Sequence, residues 1–239
     1  MRKCLEIIMS VLVITMVLTA AVYYNTGERI VEASKKTEKK DEDNEKIDIT
    51  IVIDAGHGGF DPGKVGINDE LEKDINLAIA LKLQKKCEEE GIKVIMTRTE
   101  DVDLAEEGTG KKTSDMRNRV EIINNANADF CISIHQNSYT SKEVKGGQVF
   151  YYSGSEVGKK LAGILQTSLV GNVDSSNHRK EKSNDSYYLL KNSICPSVIV
   201  ECGFLSNWNE ATNLKDEFYQ EKIADAIYEG IIEYTKSNS

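Results

Sequence analysis

The chain lacks the positive charge that binding a phosphate backbone demands. Its 39 acidic residues outnumber 30 basic ones, for a formal charge of -9, so nucleic acid is excluded as the main partner. No two cysteines stand in a C-x-x-C pair, and Cys4, Cys87, Cys131, Cys195 and Cys202 fit no structural zinc pattern. They read as small buried hydrophobes with free thiols. No G-x-S-x-G segment occurs, which removes the nucleophile elbow of the α/β serine hydrolases. No internal repeat is visible. Histidine is scarce too, with three in 239 residues, so where those three stand is informative.

What is present divides the chain into three parts. Arg2 and Lys3 precede an apolar stretch from Ile7 to Tyr24, so residues 1–24 read as a signal peptide or a retained membrane anchor. The rest of the protein is then expected outside the cytoplasm, secreted to the cell wall or held at the membrane. Residues 25–47 hold seven acids and six bases with almost no large apolar side chains, the composition of a flexible linker. Residues 48–239 alternate strand and helix signals. Ile49–Ile53 is expected as a strand, Glu72–Glu90 as a helix with Leu77, Leu81 and Leu83 in the core, and Ile92–Thr97 as a strand. A helix capped by Thr113 or Ser114 runs to Asn125 and is followed by the strand Phe130–Ile134. Then come a strand at Gly147–Tyr152, a helix at Val157–Val170, a strand at Val198–Val200 and a closing helix at Phe218–Tyr234. That alternation predicts a single α/β domain with a mostly parallel, twisted sheet and helices on both faces.

Two of the three histidines fall at or just past the carboxyl ends of predicted strands, where open α/β sheets build their ligand crevices. His57 follows the first strand within Gly56-His57-Gly58-Gly59, where the missing Cβ atoms let backbone or substrate approach the imidazole. His135 ends the strand Phe130–Ile134. Glu72 opens the first long helix, where the helix dipole favours a carboxylate, and Glu201 ends the Val198–Val200 run. Two imidazoles and one carboxylate are the ligand set of many catalytic zinc sites, and a second carboxylate beside them serves as general base. Asp54, Asp61, Glu70 and Asp74 lie close to Glu72 in sequence and offer alternative carboxylates. Asn137 is a candidate substrate hydrogen-bond donor. His178 reads as an exposed loop residue, and substrate contact by it or by Arg179 is the lesser reading.

Residues 56–63 (GHGGFDPG), Glu72-Lys73-x-x-Asn76-Leu77, Ser133-Ile134-His135-Gln136-Asn137 and Glu201-Cys202-Gly203-Phe204-Leu205-Ser206-Asn207 together resemble the zinc-dependent N-acetylmuramoyl-L-alanine amidases of the Amidase_3 type. The resemblance spans about residues 49–235. It implies one Zn2+ ion held by His57, Glu72 and His135, Glu201 as the catalytic residue, and cleavage of the amide between the muramic acid lactyl group and L-alanine in peptidoglycan. A short catalytic domain behind an N-terminal signal is similar to the CwlD-type amidases of spore-forming bacteria. That subgroup implies a role in spore-cortex maturation and a lipoprotein activator. Lys64 and Gln136 depart from the family pattern, in which a small residue and alanine are common. Longer relatives carry an inserted helix that plugs the zinc crevice, whereas ten residues, Gln136 to Lys145, separate His135 from Gly146 here. Two other readings stay open: a catalytically silent wall-binding or scaffold protein, and a different zinc hydrolase of the wall, a peptidase or deacetylase.

Overall fold

A computed structural model describes residues 49–106 and 111–237. The segments expected as signal or anchor and as linker lie outside the described residues. Among the described residues no helix is long and apolar enough to cross a membrane.

Six strands form one sheet: β1 (Thr50–Ala55), β2 (Lys93–Met96), β3 (Phe130–Asn137), β4 (Gln148–Tyr151), β5 (Lys182–Ser183) and β6 (Ser197–Phe204). Their spatial order is β2-β1-β3-β6-β4-β5. The β1–β2, β1–β3 and β3–β6 pairings are parallel, β4 runs against β6, and β5 lies parallel to β4. The sheet is thus mostly parallel, as the alternation of elements requires.

Strand pleating sorts the side chains into two layers. Ile51, Ile53, Phe130, Ile132, Ile134, Val198 and Val200 face a core built with α1 (Glu72–Glu89), α3 (Glu156–Asn172) and α6 (Glu217–Lys236). Val52, Cys131, Phe150 and Ile199 face a smaller cluster with α2 (Lys111–Asn125) and α4 (Tyr188–Asn192). Helices therefore cover both faces. A further helix, α5 (Trp208–Lys215), follows β6 and is capped by Asn207, whose side chain accepts from the Asn209 and Glu210 amides.

Several local expectations are corrected. Strands β3 and β6 run past their apolar cores to Asn137 and Phe204, so His135 and Glu201 lie within strands rather than closing them. They stand opposite each other in the β3–β6 register. Lys111 and Lys112 are already helical, so neither Thr113 nor Ser114 caps helix α2. Ser114 Oγ instead accepts the Glu106 amide at 3.1 Å and ties down the incoming loop. Leu83 is in the core, whereas Leu81 is exposed on the solvent side of α1.

Candidate metal centre

The carboxyl edge of β1, β3 and β6 gathers the polar residues singled out above. Glu72, at the first position of α1, is 2 % exposed and lies between two imidazoles. His57 Nε2 stands 3.3 Å from Glu72 Oε2, and His135 Nδ1 stands 3.0 Å from Glu72 Oε1. The two rings meet edge to face with centroids 4.9 Å apart. One ligand atom from each of the three residues lies within 4.8 Å of the others, and this is the one such cluster of three or more among the described residues.

Each member is held by partners outside the trio. His57 takes a left-handed backbone with φ 61, unusual for a residue with a side chain. Its Nδ1 pairs with Asp61 Oδ2 at 2.9 Å, leaving Nε2 turned toward Glu72. A carboxylate on one ring nitrogen fixes which nitrogen is free to bind. Glu72 accepts the Lys64 amide at 2.7 Å and the Gln136 amide at 3.1 Å. The two departures from the family pattern thus serve the carboxylate through their backbones. Gly56 leaves room for the second ring, since a Cβ there would come within 2.3 Å of the His135 imidazole.

Sequence reasoning missed what holds this loop from below. Buried Asp54 pairs with Arg119 Nη1 at 2.8 Å and accepts from Thr97 Oγ1 at 2.7 Å and Ser133 Oγ at 2.6 Å. Arg119 also donates to the carbonyls of Ala55 and His57, at 2.8 and 2.5 Å. Arg98 donates to the carbonyls of Ala55, Gly56, Glu100 and Lys73. Two guanidinium groups therefore clamp three consecutive carbonyls, 55 to 57. The nearby carboxylates resolve accordingly. Asp54 is an internal counterion, Asp61 steadies His57, Glu70 lies 3.9 Å from Lys215, and Asp74 is exposed. No single sequence window could show the Arg119–Asp54 pair, because its members are 65 residues apart.

Charge placement follows these contacts. Burial opposes ionisation of Glu72, but its hydrogen bonds and charge interactions with both histidines override it and drive the carboxyl well below its usual range. Burial opposes charge on His135, and Glu72 outweighs it, raising the imidazole pKa. Glu201 differs. Burial and, secondarily, the Glu72 charge raise its pKa, against the lowering effects of His135 and Tyr187. Tyr187, also missed in the sequence, donates its hydroxyl to Glu201 Oε1 at 3.3 Å. Glu201 Oε2 is buried without a partner among the described residues. A poorly satisfied carboxylate of raised pKa beside a nitrogen and oxygen donor cluster is the arrangement acid–base chemistry uses.

Residues 51–233 match the N-acetylmuramoyl-L-alanine amidase family. The chain belongs to that family. It is an enzyme of this amidase class, a single α/β domain of CwlD type. The germination-specific N-acetylmuramoyl-L-alanine amidase of Bacillus subtilis is 43 % identical over 188 residues, 77 % of this chain and 78 % of the relative. The CwlD amidase of Clostridioides difficile, solved in complex with the GerS lipoprotein, superposes with a TM-score of 0.78 at 45 % identity. That match covers 80 % of this chain and all of the neighbour. The catalytic domain of CwlV from Bacillus (Paenibacillus) polymyxa gives 0.70 at 30 % identity, covering 79 % and 98 %.

Proposed function

We propose that this amidase cleaves the amide between the muramic acid lactyl group and L-alanine, using one zinc ion held by His57, Glu72 and His135 with Glu201 as general base. The observation that carries the reading is the three-donor cluster set beside a buried carboxylate with one unpartnered oxygen. Two imidazole nitrogens and a carboxylate oxygen fit zinc by ligand type and number. When bound, the metal supplies Lewis acidity toward a carbonyl oxygen and makes water easier to deprotonate.

The protein's own groups do the rest. Glu201 takes a proton from the attacking water at its free Oε2 and returns it to the departing amine, and its raised pKa matches both tasks. Tyr187 holds the other oxygen and so fixes the direction in which Oε2 faces. Asn137 uses its side-chain oxygen to accept the Ser138 amide at 2.8 Å. Its amide nitrogen has no partner among the described residues and serves as a substrate donor at the crevice rim.

The relatives support placing this activity in spore-cortex maturation, outside the cytoplasm, with residues 1–24 directing export or anchoring. The GerS complex of the C. difficile neighbour supports a lipoprotein partner here. Residues 138–147 contain no helix, which supports control by location or partner rather than by a self-inserted plug.

The test is digestion of peptidoglycan by the zinc-loaded full chain, with new termini identified by mass spectrometry. Free lactyl carboxyls paired with new L-alanine amino ends are expected. New reducing ends, acetate or cut stem peptides would instead identify another hydrolase, and no new ends despite bound zinc would identify a scaffold.

A further inference from the structure

We infer that Arg179 is a specificity-determining residue that binds a carboxylate of the peptide stem on the leaving side of the scissile amide. The inference rests on the amidase reading above and deepens it.

Among the described arginines that are held by protein acceptors, Arg179 is the one left incompletely bonded, and Arg117 is simply exposed to solvent. Arg98 and Arg119 engage Nε and both terminal nitrogens with protein acceptors. Arg179 donates from Nε to the Lys145 carbonyl at 2.8 Å and from Nη1 to Gln148 Oε1 at 3.2 Å. Nη2 has no partner, and no carboxylate pairs with this cation, among the described residues. Yet the group is not loose. Its guanidinium carbon sits 4.8 Å from the centroid of the Phe204 ring, a stacking that fixes the plane of the fork. The loop beneath it is anchored by buried Asn177, which accepts the Arg179 amide at 3.0 Å and donates to the Gly147 carbonyl at 2.8 Å. An acidic protein thus holds a half-satisfied cation in a fixed pose, which favours a planar anion.

Its position identifies which part of the substrate it meets. Gln148 stands directly opposite Glu201 in the antiparallel β4–β6 ladder, and opposed residues share a face of the sheet. Phe204 is the ladder partner of Asn137. Arg179 therefore bridges the neighbours of Glu201 and Asn137, across β6 from the His57 loop. Glu201 must lie beside the departing amine to protonate it, so the peptide that begins with that amine runs toward β4 and Arg179. In peptidoglycan the residue after L-alanine is a glutamate whose α-carboxyl is either free or amidated, which gives the site a chemical choice to make.

The test compares the full chain with Arg179→Gln and Arg179→Lys on two muramyl peptides that differ only in whether that carboxyl is free or amidated. The parent enzyme is expected to prefer the free acid in kcat/KM by about ten- to a hundredfold. Arg179→Gln should erase the preference by losing rate on the acid while changing the amide less than about twofold, and Arg179→Lys should restore part of it. Calorimetric binding of the free dipeptides L-alanyl-glutamate and its amide should show the same loss in Arg179→Gln without any turnover. Equal losses on both substrates, or a preference that survives in Arg179→Gln, would overturn the assignment. Hydrolysis of neither peptide by the parent, with dipeptide discrimination intact, would overturn the amidase reading and leave the anion site standing.

Discussion

Arg119→Met tests whether the candidate centre is assembled from beneath. The substitution keeps much of the side-chain volume but strips Asp54 of its counterion, frees the His57 carbonyl and leaves the Ala55 carbonyl to Arg98 alone. Arg119 and Asp54 are each 1 % exposed by side chain, so the orphaned carboxylate cannot recover its loss from water. Breaking a buried pair from one side costs about 3–5 kcal/mol. For a domain of this size that corresponds to a fall in Tm of roughly 6–20 °C. Thermal and urea unfolding of the metal-free full chain read it directly. Adding Asp54→Asn should recover much of the deficit, because the uncompensated charge is then gone. Acid titration supplies an independent arm. Burial tends to raise the Asp54 pKa, but Arg119 and the Ser133 hydroxyl take it from 3.8 down to about 2. A depressed folded-state pKa stabilises the fold above the unfolded value, by about 2 kcal/mol here, and this is lost as pH falls from about 4 to about 2. That acid-labile component should disappear in Arg119→Met. A Tm within about 3 °C of the parent, or an unchanged acid limb, would refute the reasoning.

Glu201→Gln should keep its zinc by elemental analysis while kcat falls about 10²- to 10⁴-fold, and near-normal turnover would remove the base assignment. His57→Ala and His135→Ala should each lower zinc content under the same assay, since each deletes a donor from a set of three. Gly56→Ala places a methyl within 2.3 Å of the His135 ring and should cost about 1–3 kcal/mol of stability along with metal affinity; full metal loading in a normally folded variant would show that the ring can move aside. Tyr187→Phe deletes the Glu201 contact at 3.3 Å, so kcat should fall about tenfold with KM within about twofold, and a change confined to KM would contradict a positioning role.

The parts legible in the sequence were those written in local pattern. Apolar runs of β-branched residues marked β1, β3 and β6, and spacing on a helical face marked α1 and α6, so layer order and sheet class followed. Boundaries slipped where chemistry interrupts the pattern. The ladder continues through His135 and Glu201, but their polar side chains end the apolar run on which strand reading depends. Strand β5, two exposed polar residues, and α4, five residues long, carry too little periodicity to register. Helix α5 buries only Glu210, Ala211 and Leu214, which hides it among loop residues. The supports of the site, Arg98, Arg119 and Tyr187, were illegible because each acts on a group far along the chain or on a backbone carbonyl that has no sequence signature.

The reversal of direction between β6 and β4 has an architectural consequence. Because β4 runs against β6, the polypeptide enters it at the edge bearing His135 and Glu201 and leaves at the opposite pole. Segment 138–147 therefore turns at the edge of the sheet that carries the candidate centre, joined at both ends to strands. Residues could be added or removed there without shifting any strand, so gating by an insertion is a trait this scaffold can acquire or discard by changing one loop.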